Sequence, residues 1–250
     1  MTMKKNVVCI IQARMGSTRL PGKVLLDLEG KPVVHRVVDR VLEARTIDRV
    51  VVAIPFGEKD DALEQALDGY HARVSVHRGS EQDVLDRYYQ AARAAQAEIV
   101  VRVTCDCPVI DPEVIDRVVA TLSDEPALDY AANVLGRLTY PDGLDVKAMT
   151  FSALEKTWLH ATKKEEREHV TPYIRRGVGA FRTRNVECER DLSMHRWTLD
   201  EEADYRLLCE IYKRLLPSRP SFRMKDILEL FEADPRLAEI NRHVKPAFVV

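Results

Sequence analysis

The sequence has no apolar run long enough to cross a bilayer. The stretches at 7–11 and 50–54 are far shorter than the roughly 20 residues a membrane helix needs. The opening Met-Thr-Met-Lys-Lys-Asn carries two lysines, but only about five apolar residues follow before Gln12 and Arg14. A secretory leader needs a longer apolar stretch than that. Cysteine is sparse: Cys9, Cys105, Cys107, Cys188 and Cys209 are scattered and odd in number, which argues against a disulfide framework and for a reduced, cytoplasmic protein. An excess of one charge is also missing. A formal net charge of −2 gives no whole-molecule attraction to nucleic acid or to an anionic membrane, so neither is an expected partner. Any polyanion must be held by a local cluster of cations. Internal repeats and low-complexity segments are absent as well.

What remains is an ordinary globular composition, 46% hydrophobic and 31% charged over 250 residues, enough for one domain with a substantial core. Short β-branched runs at 7–11, 50–54, 74–77 and 99–103 read as buried strands. Between them, 33–45, 58–68 and 81–97 show helical spacing of apolar positions. That alternation implies βαβ units and an α/β fold with a mostly parallel sheet covered on both faces. Asp111-Pro112-Glu113 supplies an N-cap, a first-turn proline and an early acid for a helix to about 122. In the second half, 128–133, 145–151, 181–187 and 196–199 read as strands, and 152–161, 166–176 and 201–215 as helices. Pro217 and Pro220 break the chain before short helices near 224–232 and 235–243. The chain divides into a first half at about 1–125, a second at about 126–216 and a helical extension at 217–250. In such sheets ligands bind beyond the carboxyl ends of the strands.

The first strand runs into Gln12-Ala13-Arg14-Met15-Gly16-Ser17-Thr18-Arg19-Leu20-Pro21-Gly22-Lys23. Between Gln12 and Leu26 there are three cations and no acid. Backbone N–H groups freed by glycine, a forked guanidinium and a point-charge ammonium together suit a triphosphate. A solvated basic loop is the plainer alternative. The Walker spacing G-x-x-x-x-G-K-[ST] is absent.

This stretch resembles the signature R-x-x-S-x-R-L-P-G-K of the CMP-sugar-acid synthetases, which include 3-deoxy-manno-octulosonate and acylneuraminate cytidylyltransferases, and most nearly their spore-coat polysaccharide branch. Further matches run along the chain: Val76-His77-Arg78-Gly79-Ser80 with 83–88, Arg102-Val103-Thr104-Cys105-Asp106-Cys107-Pro108, Tyr140 to Val146, Arg167 to Tyr173, and Arg196-Trp197-Thr198-Leu199-Asp200. The resemblance implies a Rossmann-like nucleotide-diphospho-sugar transferase fold with a small acceptor subdomain, acting as a homodimer. It also implies Mg²⁺ as cofactor, CTP as co-substrate and a small anionic acceptor. Arg14, Ser17 and Lys23 would then hold the CTP phosphates, with Ala13 beside them. As a loop lysine, Lys23 is expected to add little to stability.

Nucleotidyl transfer needs a divalent cation to offset charge on the triphosphate. By the resemblance, Asp106 and Asp200 hold that metal. Their structural alternatives are a turn-forming Asp-x-Pro for Asp106 and a helix N-cap for Asp200. Cys105-x-Cys107 lacks the second Cys or His pair that a zinc site requires, and reads as buried thiols. The relatives usually carry glycine at position 105.

Equivalent loops in the relatives surround the cytosine, which points to Arg78 and Ser80; a surface cation near Asp83 is the other reading of Arg78. Asp142 and Asp145 flank Gly143 in a turn entering a strand. Alternation puts Asp145 and Lys147 on one face, and Leu144, Val146 and Ala148 on the other. The family pattern generally has glutamate where Lys147 stands. Lys147 is either a cleft residue or a solvated lysine on an edge strand. His169, Thr171 and Arg175 are further acceptor candidates, with helix packing the alternative for His169. Trp197 reads as core.

The expected reaction is in-line attack by an acceptor oxygen on the CTP α-phosphate, catalysed by positioning and charge through Arg14, Lys23, Asp106 and Asp200. One rival is a glycosyltransferase of the same fold, which usually shows an Asp-x-Asp motif where this chain has Cys105-Asp106-Cys107. The other is a non-catalytic nucleotide-binding pathway partner.

Overall fold

The parallel strands are apolar on both sides because both sides are covered. In β1 (Val7–Gln12), Val8 and Ile10 point into one core and Cys9 and Ile11 into the other, all fully buried. The computed structural model describes residues 5–178 and 180–245. After β1 come α1 (Val33–Leu42), β2 (Arg49–Pro55), α2 (Asp61–Leu67), β3 (Val74–Gly79), α3 (Val84–Ala94), β4 (Ile99–Thr104) and α4 (Pro112–Asp124). The second half supplies β5 (Tyr130–Ala132), β6 (Lys147–Thr150), α5 (Phe151–His160), α6 (Lys164–His169), α7 (Pro172–Arg175), β7 (Thr183–Asn185), α8 (Glu202–Leu215) and α9 (Met224–Ala233).

All seven strands form one sheet in the order β3-β2-β1-β4-β6-β5-β7. Strands β1 to β4 are parallel, and β6 is antiparallel to both β4 and β5. One face carries α3, α5, α6 and α7; the other carries α1, α4, α8 and α9. From β1 the chain builds outward to β2 and β3, then returns to place β4 on the other side. The strand order therefore reverses between β1 and β4, and the loops leaving them diverge to open a crevice there.

Several expected elements differ. The strand expected at 196–199 is reduced to an isolated bridge between Arg196 and Asp142. The helix expected over 166–176 is two short helices, because Val170 takes a positive φ of 70° and ends the first. The final helix expected at 235–243 is a 3₁₀ segment, Pro235–Glu239. Asp111 caps α4 as expected, accepting the Glu113 N–H at 2.8 Å, and its other oxygen accepts the Met224 N–H at 2.6 Å. That second bond ties the start of α9 to the start of α4. No helix among the described residues is long and apolar enough to cross a membrane.

Candidate active site

The loop after β1 is folded on itself before any ligand arrives. Ala13 donates its N–H to the Ala53 carbonyl at 3.2 Å, and Met15 donates to the buried Asp60 carboxylate at 2.7 Å. Ser17 Oγ accepts the Leu20 N–H, and the Gly22 N–H returns to the Met15 carbonyl at 3.1 Å. Gly22 makes this return at φ 69°, a left-handed conformation that glycine adopts without steric cost. Arg14 is left exposed, with no ion pair among the described residues.

Lys23 begins a short 3₁₀ turn and points the other way, into the crevice. Its ammonium meets Asp106 Oδ2 at 3.2 Å, Asp200 Oδ1 at 2.9 Å and the Leu199 carbonyl at 2.6 Å. Three acceptors match its three protons. Burial works against the charged lysine, but the two carboxylates outweigh it and raise its pKa. Asp106 shows the reverse. Burial opposes its ionisation, yet Lys23 and the Thr104 hydroxyl hold its carboxyl below the usual value.

The switch point brings Lys23 and Asp106 together. Asp200 arrives through its own segment: the Leu199 N–H and Thr198 Oγ1 both donate to the Asp106 carbonyl, at 2.7 and 3.1 Å. Asp200 does not cap α8; Glu201 holds that position, and its N–H donates to Asp204 Oδ2 at 3.0 Å. The Asp200 side chain is instead shared among Lys23, Arg19 at 3.0 Å and Arg196 at 3.1 Å.

Sequence reasoning gave Arg196 no role, yet it organises this side of the site. Its guanidinium reaches Asp142 at 2.7 Å, Asp200 at 3.1 Å and the fully buried Asp204 at 3.0 Å. No local signal announced it, because Arg196 lies in a non-helical segment before α8, where a four-residue spacing to Asp200 does not by itself bring side chains together. Asp142 is pushed up to about 6 by burial and by Asp145, against the pull of Arg196. Gly143 makes the adjoining turn possible. It has φ 108°, and a Cβ there would lie 2.6 Å from the Trp197 carbonyl carbon. Asn133 clamps the next residues, donating to the Leu144 carbonyl and accepting the Val146 N–H, both at 2.8 Å.

Leu144, Val146 and Ala148 pack into one core, so the alternation places Asp145 and Lys147 on the opposite side. Lys147 is no edge lysine. Strand β6 lies between β4 and β5, and Lys147 is 4% exposed, with its ammonium 3.1 Å from Asp145. Burial lowers its pKa; Asp145 acts to raise it and Arg102 to lower it further. Asp142, Asp145 and Arg175 line a cavity of about 580 Å³ that is also lined by the exposed Leu138 and Met194 and by the buried Phe231. His169 is exposed at the end of α6 and is not among the residues lining that cavity.

At the far rim, Ser80 Oγ accepts the Asp83 N–H. Arg78 pairs with Asp61 and Glu64 at 2.5 and 2.6 Å; Asp83 pairs with Arg167 instead. Cys105 and Cys107 are buried free thiols, raised in pKa chiefly by burial.

A mostly parallel sheet with a basic loop and facing carboxylates at its switch point defines a Rossmann-like nucleotidyltransferase. More particularly, the sequence model of the family described as cytidylyltransferase matches residues 8–232, and the chain belongs to that family. It is 32% identical over 240 residues to the spore coat polysaccharide biosynthesis protein SpsF of Bacillus subtilis, covering 93% of this chain and 97% of that one. A 3-deoxy-manno-octulosonate cytidylyltransferase of Geobacter sulfurreducens is 41% identical over 123 residues, 49% of this chain and 48% of the relative. The structure of a cytidylyltransferase from Leptospira borgpetersenii superposes with a TM-score of 0.87 at 33% identity, covering 94% of this chain and 97% of that chain. The chain is thus an enzyme of the nucleotidyltransferase class, related to proteins that transfer CMP from CTP.

Proposed function

We propose that this enzyme transfers CMP from CTP to a small anionic acceptor, with Mg²⁺ held by Asp106 and Asp200. The observation that carries the reading is the meeting of these two carboxylates on one ammonium, beside the loop after β1. Mg²⁺ takes oxygen donors, usually one or two carboxylates completed by phosphates and water. What supports the fit is that two carboxylates, the number such a site draws from a protein, converge there. The bound ion would offset charge on the triphosphate and on the departing pyrophosphate.

The chain's own groups do the rest. Arg14, Ser17, Lys23 and the backbone near Ala13 hold the phosphates; Arg78 and Ser80 flank the base. Asp142, Asp145, Lys147 and Arg175 shape the acceptor side, with His169 at its margin. An acceptor oxygen forms a bond to the α-phosphorus as the bond to the β-phosphate oxygen breaks, releasing pyrophosphate. An acceptor that attacks as an oxyanion needs no protein base. Catalysis rests on alignment and on fixed charge where negative charge develops.

The test is thermal shift with CTP, UTP, ATP and GTP, each with Mg²⁺, followed by pyrophosphate release with a panel of acidic acceptors. CTP is expected to stabilise most. Equal stabilisation by ATP would sink the assignment.

A further inference from the structure

The segments 138–142 and 192–197 run side by side. The Leu192 N–H donates to the Thr139 carbonyl at 2.8 Å, and the Asp142 N–H to the His195 carbonyl at 3.0 Å. This pairing sets Leu138 and Met194 near the turn that bears Asp142 and Asp145, and all four residues line the 580 Å³ cavity. Leu138 lies four residues before Asp142, so their Cα atoms are at most about 14 Å apart. Leu138 is 53% exposed and Met194 77%. Only five large hydrophobic side chains among the described residues stand exposed, and two of them share this one cavity. Apolar side chains scattered singly on a surface need no explanation; gathered on a concave wall, they mark a ligand surface. Phe231 joins that wall, edge-on to His195 at 5.5 Å between ring centroids, and His195 stacks on Trp197 at 5.4 Å. Burial lowers the His195 pKa, which leaves the ring neutral at pH 7. The amide and hydroxyl side chains of the cavity are already engaged: Asn133 with the Leu144 and Val146 backbone, Ser193 with Asp191, and Asn241 with Arg196 and Asp204.

We infer that the acceptor carries an apolar acyl or alkyl substituent, which lies on Leu138, Met194 and Phe231 while its hydroxyl-bearing end meets Asp142 and Asp145. The inference rests on the cytidylyltransferase reading and narrows the acceptor class for it. Ionised carboxylates accept hydrogen bonds and donate none, so they suit hydroxyls; a hydrocarbon wall gains by burying hydrocarbon. One continuous cavity joins the two kinds of lining, so one molecule can touch both. Its 580 Å³ falls in the range that takes a drug-sized ligand, in pockets that combine apolar walls with a few placed polar groups. A second copy of this chain is a poorer match for the surface. A stable contact between copies takes about 800 Å² per partner, and two exposed side chains supply only a small part of that. A short hydrocarbon chain needs far less.

Methyl NMR of the full-length enzyme labelled on methionine, titrated with acetate, butyrate and hexanoate at constant ionic strength, tests the surface, with CTP titrated in parallel. Met194→Leu assigns the Met194 methyl signal among the six methionines. That signal is expected to shift saturably with hexanoate. The hexanoate dissociation constant should lie about tenfold below that of butyrate, since each buried methylene contributes roughly three- to fourfold. Acetate should bind too weakly to saturate. Leu138→Gln should weaken hexanoate binding about tenfold, and Leu138→Met should keep most of it. Leu138 is exposed, so neither variant threatens the fold. Equal dissociation constants for butyrate and hexanoate, or a Met194 shift indifferent to Leu138→Gln, overturn the inference. Sedimentation that finds the wild type dimeric and Leu138→Gln monomeric, with no hexanoate effect at Met194, gives the surface to a second copy and overturns it too. Enzyme that binds CTP but shows no dependence on chain length overturns the acceptor inference alone; failure to bind CTP overturns the cytidylyltransferase reading with it.

Discussion

The two sides of the crevice hold their charges in opposite ways. On the proposed nucleotide side, Arg14 stands exposed, and the loop around it is held by backbone bonds and by Asp60, with Arg19 and Lys23 paired to Asp200. On the proposed acceptor side, Arg102 and Lys147 are buried and Arg196 is half-buried, and their partners are fixed by neighbouring segments. A solvated guanidinium loses little while waiting for a triphosphate that brings its own charge. A buried cation must be placed before the ligand comes, since a low-dielectric site tolerates no unpaired rearrangement. The nucleotide side is therefore a set of reachable charges, and the acceptor side a preset one. Lys23 and Asp200 are where the two regimes join.

Removing Arg196 strikes the preset side hardest. Arg196→Ala leaves Asp142, Asp200 and the fully buried Asp204 without their shared cation, and should cost roughly 3–5 kcal/mol of stability in denaturant unfolding. Arg14→Ala, by contrast, should leave the unfolding midpoint unchanged; equal losses in both variants would break the comparison. Next in size, Asp106→Asn should lower turnover about 10²–10³-fold with the fold retained, checked by pyrophosphate release beside circular dichroism. Lys23→Ala should lose about 2–4 kcal/mol in kcat/KM for CTP. It should also lower the melting temperature, which corrects the expectation of a loop lysine without structural weight: its side chain is 12% exposed and holds two carboxylates together. A mutant with unchanged melting temperature would return Lys23 to the reachable class.

The smallest effect is one of pH. The Asp142 carboxyl sits near 6 in the folded protein and near 3.8 unfolded, so the native state binds its proton more tightly. Stability from this group is full below about 4 and is lost as pH rises through 6. Asp142→Asn should remove that part of the decline between pH 4 and 7 in melting temperature. The slope surviving intact would mean that Asp142 does not carry it.

What the sequence made legible follows the same division. Strands β1 to β4 announce themselves through apolar runs, because the parallel part of the sheet is covered on both faces. The phosphate loop, Asp106 and Asp200 were visible as motif residues with nameable chemistry. The placement of β6 was not, because its partners β4 and β5 are set by long-range pairing, and so the burial of Lys147 stayed hidden behind a correct alternation. Arg196 was overlooked because a lone arginine before a motif aspartate says nothing of the two further carboxylates that fold onto it. Val170 defeated the helix pattern: a β-branched residue at positive φ is a tertiary decision, against its own local preference.

The missing side chain at Gly143 sets the latitude this enzyme has for change. With no room for even a methyl between that turn and the Trp197–Thr198 backbone, the entry to β6 and the segment bearing Asp200 move as one piece. On the proposed reading, acceptor preference can then be altered by exchanging the side chains at 145 and 147, which project from a backbone that need not shift. Lengthening or reshaping residues 141–144 would drag Asp200 with it. A lineage carrying this glycine can diversify its acceptors one side chain at a time, and has little room to do so by remodelling the turn.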